Sequence, residues 1–414
     1  MTNRTVIISV AAIILLSGCD LMNTIRMKNA NDHLVASWPE NQSEAKLETQ
    51  YIGEKPYVVA SINGVESLLF MVDTGASMSY LFDTPKVLSL GLERGYSLSA
   101  SGWGDGKDSV IYQTKVEQLN LAGISFKQVN FAFMPVSKSQ YFLRADEAVY
   151  DGVLGHDVLH HFSWTFDKAA KQVSISSQPF DGNEKAYSFE FDTFLSKISV
   201  AGELNFGDEQ VFAQDLIIDT GSRHSLKVAS AFIENNDIVL SGSSITAADF
   251  GLSGRTIHQR ITLPELRLGE LSVAGIKTNL VGGDFEDDYG VIGSAFLNKY
   301  ISVVDYHSSR LHLIPYLNST YITDYNLLGL ELRKLRSQEF VVRYVFPQMA
   351  SANFDFQEGD IIVSIDGVPT RDISQGQWLK LSATVGQYEI CRMRKIIECV
   401  KVSSEDIPGY STPS

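Results

Sequence analysis

The sequence predicts a mainly β protein: two similar lobes of short strands, then a smaller α+β domain. Three observations carry this: a long internal repeat, strand-like runs closed by turn signals in both copies, and a different pattern once the repeat ends.

Phe70-Met71-Val72-Asp73-Thr74-Gly75-Ala76 recurs as Leu216-Ile217-Ile218-Asp219-Thr220-Gly221-Ser222. Asp151-Gly152-Val153-Leu154-Gly155 recurs as Tyr289-Gly290-Val291-Ile292-Gly293. The register then holds at a spacing of 138: Leu159 with Leu297, Phe162 with Tyr300, Asp167 with Asp305, Val173 with Leu311, Ile175 with Leu313. The two aspartates lie 146 apart, so the second copy is eight residues shorter in its middle, as loop trimming in a duplicated domain would leave it.

Tyr57 to Ile62 reads as a strand, and the following Asn63-Gly64 is a strong hairpin signal before the strand that ends at Asp73. Ile198 to Gly202 opens a similar excursion into Asp219. About thirty residues beyond each aspartate lies a glycine-rich turn, Gly102-Trp103-Gly104-Asp105-Gly106 in one copy and Phe250-Gly251-Leu252-Ser253-Gly254 in the other. Their matched positions predict flaps, with Trp103, Gly104, Gly106, Gly251 and Gly254 at the tips.

A single Asp-Thr-Gly is commonplace as a turn or cap. Two copies, each behind an apolar strand and each followed by apolar-apolar-Gly, are specific. On these residues the chain resembles the pepsin and retropepsin superfamily, and more closely the retropepsin-like aspartyl proteases of bacteria. Val153-Leu154-Gly155-His156-Asp157-Val158-Leu159 resembles their Leu-Leu-Gly-x-Asp-x-Leu stretch. The resemblance spans about residues 50–315. It implies two retropepsin-like β-barrel lobes forming a bilobal aspartic protease, with Asp73 and Asp219 as the catalytic pair.

The chemistry suits those residue types. Two carboxylates roughly 3 Å apart cannot both ionise, so they share a proton. One form takes a proton from water while the other donates toward the scissile carbonyl. The supporting residues are expected to be Thr74, Gly75, Ala76, Thr220, Gly221 and Ser222. The glycines allow close approach of the two loops, and the resemblance implies hydrogen bonds between the threonines across the pseudo-dyad. Ser222, unlike Ala76, offers a hydroxyl to its carboxylate.

After Pro315 the pattern changes. Gly359-Asp360-Ile361-Ile362-Val363-Ser364-Ile365-Asp366-Gly367 alternates as a strand into an Asp-Gly turn and resembles the core of a PDZ domain. The resemblance implies a carboxylate-binding loop at Leu328, Gly329 and Leu330 that receives a peptide C-terminus. Cys391 and Cys399 fall on two strands around a turn near Lys395, where they would face each other and can form a disulfide.

The N-terminus reads as an export signal. Arg4 precedes the apolar run Val6 to Leu16, eleven residues and too short to span a bilayer. Leu16-Ser17-Gly18-Cys19 resembles a bacterial lipobox with Cys19 as the lipidated residue, and Asp20 resembles an inner-membrane retention signal. The expected organisation is a signal peptide over 1–18, a polar tether over 19–46, lobes over 47–182 and 183–318, a PDZ-like domain over 325–405 and a tail over 406–414.

The net charge of −15 argues against a nucleic-acid partner. His156, His160 and His161 with Asp157 lack a complete ligand set, so no metal and no cofactor is expected. The sequence therefore points to an envelope endopeptidase, lipid-anchored with its folded part in the periplasm. It would act on peptide or protein substrates and carry a domain that recruits or regulates them through C-terminal peptides. The alternative is an inactive peptide-binding lipoprotein or an envelope scaffold with a protease-like fold.

Overall fold

The computed structural model describes residues 22–100, 109–135, 149–240, 242–251, 254–282 and 290–411. The export signal, Cys19 and Asp20 therefore lie outside the described residues, as do Trp103, Gly104 and Gly106 of the first expected flap.

The first lobe contributes β1 (Glu44–Leu47), β2 (Thr49–Ile52), β3 (Lys55–Ile62), β4 (Val65–Val72), β5 (Tyr80–Phe82), β6 (Ser97–Ala100), β7 (Ser109–Leu121), β8 (Ile124–Met134), β9 (Gly152–Leu154), β10 (Ser163–Asp167) and β11 (Gln172–Ser176). The second contributes β12 (Tyr187–Glu190), β13 (Asp192–Phe194), β14 (Lys197–Asn205), β15 (Val211–Asp219), β16 (Leu226–Ala229), β17 (Ile245–Gly251), β18 (Gly254–Leu268), β19 (Leu271–Val281), β20 (Gly290–Gly293), β21 (Tyr300–Asp305) and β22 (Arg310–Pro315). The last domain has β23 (Leu330–Lys334), β24 (Phe340–Val345), β25 (Ile361–Ile365), β26 (Val368–Pro369), β27 (Gly386–Met393) and β28 (Ile397–Ser404).

The duplication is visible in the pairing. One sheet runs β2-β3-β4-β9-β5-β8-β7-β6 and is closed by β3 on β7. The other runs β13-β14-β15-β20-β16-β19-β18-β17 and is closed by β14 on β18, the same order strand for strand. Asn63 and Gly64 take φ of 51° and 79°, the left-handed pair that a two-residue hairpin needs between β3 and β4. A third sheet, β1-β11-β10-β21-β22-β12, joins the lobes, with Ser163 opposite Asp305 where β10 meets β21. Equivalent residues make equivalent bonds there. The Trp164 indole N–H donates to the Leu159 carbonyl at 2.9 Å, and the Ser302 hydroxyl donates to the Leu297 carbonyl at 2.8 Å. One apolar core runs through both lobes, taking in Phe70, Phe131, Leu154, Trp164, Leu216, Ile218, Leu263 and Ile292.

The stretch expected to be a tether is packed instead. A short helix over 22–28 carries Met27 into a cluster with Met71 and Phe82, and Leu34 enters the main core. Asn31 is buried and donates to Asp157 Oδ2 at 2.6 Å. Sparse apolar residues suffice because each meets a prepared site, which so short a segment needs no amphipathic periodicity to reach. The expected tail is docked too. Tyr410 is buried against Tyr325, and its carbonyl accepts from Thr262 on β18.

In the C-terminal domain the sheet runs β23-β24-β25-β27-β28, with β26 on β25. The Gln375–Ser382 helix packs Trp378 onto Leu330, Leu332, Phe340 and Ile390. Its start is a reciprocal cap: Ser374 Oγ accepts from the Gln377 N–H at 3.1 Å, and Gln377 Oε1 accepts from the Ser374 N–H at 2.7 Å. Cys391 lies opposite Cys399 across β27 and β28, and the two form a disulfide.

Candidate active site

Both Asp-Thr-Gly loops leave the end of a strand that is paired in parallel with the second motif of its own lobe. β4 runs beside β9 with Val72 opposite Leu154, and the Asp73 N–H donates to the Leu154 carbonyl at 3.1 Å. β15 runs beside β20 with Asp219 opposite Gly293. Only glycine fits at the two motif ends. A Cβ on Gly155 would meet the Met78 carbonyl carbon at 2.5 Å, and one on Gly293 would meet the His224 carbonyl oxygen at 2.3 Å.

The loops lock to each other through the threonines. Thr74 Oγ1 donates to the Ile218 carbonyl at 2.6 Å and accepts from the Thr220 N–H at 3.0 Å. Thr220 Oγ1 donates to the Val72 carbonyl at 2.7 Å and accepts from the Thr74 N–H at 3.1 Å. All four groups are buried, so this reciprocal set fixes the distance between the loops.

That distance brings the carboxylates together. Each carboxyl group lies against the glycine of the opposite loop, Asp73 at Gly221 and Asp219 at Gly75, and each feels the other's charge. Each also accepts from its own loop: Asp73 Oδ1 from the Gly75 N–H and Asp219 Oδ1 from the Ser222 N–H, both at 2.9 Å. Gly75 and Gly221 are needed for room, since each faces the carboxyl group of the opposite lobe. The Ser222 hydroxyl, expected to reach its carboxylate, is buried without a hydrogen-bond partner; the backbone N–H does that work. Burial and the neighbouring Asp219 charge push the Asp73 carboxyl up to about 7, against the pull of Lys55 and the Gly75 N–H.

Residues 58–158 match the family model described as aspartyl protease. The matched stretch holds the first Asp-Thr-Gly and the Val153-Leu154-Gly155 that supports it. In structure the chain is similar to the aspartic proteinase from Irpex lacteus, with a TM-score of 0.41 and 13% identity over 66% of this chain and 97% of that one. No curated protein sequence matches the chain.

Three groups around this aspartyl protease-like centre were not singled out from sequence. Lys55, half-buried at the start of β3, lies in the field of both carboxylates; burial draws its ammonium down to about 8. Lys55 opens the strand that hairpins into β4, but no motif or periodicity in the sequence marks a lysine there. Arg223 follows the second motif and had a signal: the matched position in the first lobe is Ser77. The third is Asp249, wholly buried on β17, which pairs with His224 Nε2 at 2.6 Å and accepts from Asn279 Nδ2 at 3.0 Å.

The second expected flap is a hairpin, with Gly251 and Gly254 as the last paired residues of β17 and β18. It does not stand free. Ile245, Ala247 and Ala248 pack with Tyr325, Leu327, Tyr344, Phe346 and Met349 of the C-terminal region. Arg343 lies 3.5 Å above the Phe250 ring, and Arg255 pairs with Glu358 at 2.6 Å. Apolar residues on the hairpin gave it a partner that flap logic alone did not anticipate.

The expected carboxylate loop is also engaged. The Gly329 N–H donates to Asn326 Oδ1 at 2.9 Å, and Leu328 and Leu330 are fully buried. Beside it, Gln375 accepts from the Lys334 N–H at 2.8 Å and donates to the Leu332 carbonyl at 2.9 Å. A side-chain amide thus holds the stretch of β23 where an added peptide strand would pair. Asp157 accepts from Ser79 Oγ and Asn31 Nδ2, both at 2.6 Å, so its carboxylate holds the first lobe's supporting turn in place.

Proposed function

We propose that the protein is an aspartic endopeptidase whose water is activated by Asp73 and Asp219. The observation that carries this is the pair itself: two carboxylates from duplicated loops, each set against the opposite loop's glycine and held by reciprocal threonine bonds. In the competent state the pair holds one proton. The ionised oxygen takes a proton from a water as that water attacks the peptide carbonyl, and the shared proton moves toward the carbonyl oxygen. The same pair then returns a proton to the leaving amine, so no cofactor enters the cycle. The loop N–H groups keep both carboxyls aimed at the water.

The test is a digest of a peptide library across pH with the mature chain. Peptides should be cleaved, with kcat/KM falling about tenfold per pH unit above roughly pH 7 as the shared proton is lost. Replacing Lys55 by Met removes a cation that favours the ionised form, so the falling limb should move to higher pH. An unmoved limb would show that Lys55 does not act on the pair.

We also propose that Cys19 is lipidated and tethers the protein in the cell envelope, the reading supported by Leu16-Ser17-Gly18-Cys19. No helix among the described residues is long and apolar enough to cross a membrane. Cys19→Ser should leave the precursor unprocessed or release the chain from the membrane fraction. Normal maturation with unchanged detergent extraction would refute the anchor. In this reading the C-terminal domain regulates access, which the engagement of its peptide loop and of β23 favours over recruitment by strand addition.

A further inference from the structure

Arg223 lies four residues beyond Asp219, and its guanidinium Nη2 is 2.6 Å from Glu331 Oε1. Two other carboxylates contribute to its field, Asp249 and Glu54. Both are committed elsewhere. Asp249 holds His224 and Asn279; Glu54 holds Lys168 and accepts from Asn298 Nδ2 at 2.9 Å. Glu331 is therefore the partner of Arg223, and it belongs to the C-terminal domain.

The geometry of β23 makes this pairing informative. Its Leu330 and Leu332 are buried in the core of their own domain, so Glu331 and Arg333 project from the opposite face. The Tyr57 hydroxyl on β3 lies in the field of both Arg333 and Asp73. Lys55 feels Asp73, Asp219, Arg333 and Arg223 together. The extended strand β23 thus sets an acidic side chain on a lobe cation four residues beyond Asp219. That is what a bound peptide would present. Were the C-terminal domain to lift, Arg223 would lose its only close carboxylate among the described residues, and a neutral side chain in that place would leave a half-buried cation unpaired.

We propose that Arg223 selects an acidic side chain in the peptide substrate, and that Glu331 is the chain's own occupant of that subsite. The word substrate rests on the peptidase reading above; the binding preference does not require turnover.

The test uses the full mature chain carrying Asp73→Asn, so that no peptide is consumed. The probes are fluorescein-labelled octapeptide pools, random except for one scanned position fixed as Glu, Gln or Lys. With Glu331→Gln added, the Glu pool should bind about tenfold tighter than the Gln pool at one position. Adding Arg223→Gln should abolish that preference, and Arg223→Glu with Glu331→Gln should transfer it to the Lys pool. Equal binding of Glu and Gln pools at every position, or a preference that survives Arg223→Gln, overturns the proposal. If Glu331→Gln fails to fold by its melting curve, Glu331→Asp carries the same comparison, since it keeps the charge but draws it back by one methylene. The two readings separate cleanly. Acidic preference in binding with no cleavage by the wild type removes the peptidase and keeps this subsite. Cleavage without regard to charge keeps the peptidase and removes the subsite.

Discussion

Asp73→Asn and Asp219→Asn should each lower turnover by about four orders of magnitude, and the double variant should be little worse than either. The Asp219 charge and burial hold the Asp73 carboxyl protonated toward neutral pH, so the two titrate as a unit and removing either removes it. The covalent link between the lobes makes activity first order in chain at high dilution, unlike a single-copy lobe that must dimerise. The measurement is kcat/KM for a cleavable peptide with all three variants. If one single variant retains wild-type turnover, the pair is not the catalytic unit. Loss of activity will not reflect unfolding, because Asn fills the same space and spares the site a buried charge. The Asp73 carboxyl titrates higher in the folded chain than in the unfolded one, so its contribution to stability is fully present below about pH 4 and is lost as pH rises through about 7. Asp73→Asn should accordingly melt a few degrees above the wild type at pH 8 and show little difference at pH 4.

Gly221→Ala should be nearly as damaging to activity for a purely steric reason. A Cβ there would sit 2.2 Å from Asp73 Cγ and within 2.5 Å of both carboxylate oxygens. Real contacts of that kind do not occur, so the loops must part. The threonine set resists parting: its four hydrogen bonds are 2.6 to 3.1 Å long and buried. We expect at least a hundredfold loss of kcat with about 1–3 kcal/mol lost from stability, the range for overpacking a tight site. Gly75→Ala should behave alike, with its Cβ 2.6 Å from Asp219 Cγ. Full activity in Gly221→Ala would mean that the carboxylates lie farther apart in the working enzyme. Neither glycine has the left-handed backbone that would otherwise explain a glycine there, so the clash is the whole argument.

The C-terminal domain packs on the second-lobe hairpin through Tyr344, Phe346 and Met349 and pairs with the second lobe's Arg223 through Glu331. At the same time the Gly329 N–H is taken up by Asn326, and Gln375 is bonded to β23 at Leu332 and Lys334. This arrangement supports the proposal that the domain regulates access rather than recruiting peptide by strand addition.

The sequence by itself determined the mainly β class, the duplication and the identity of the paired carboxylates. Each rests on local pattern: apolar runs ending in Asp-Thr-Gly, an Asn-Gly turn, and a spacing of 138 held over several positions. Such signals survive in one dimension because the same local backbone must form in both copies. The disulfide was legible for the same reason, since a short hairpin fixes which residues oppose one another. The tertiary structure alone decided what crosses between distant segments. Asn31 reaching Asp157, Lys55 entering the field of both aspartates, and Glu331 meeting Arg223 join residues with no shared periodicity or motif. The Ser222 hydroxyl went unused although its residue type invited a bond, because the loop already offered a better-placed N–H. Long-range pairs of charges and hydrogen bonds are chosen by where folded surfaces meet, and that meeting is written in no single stretch of chain.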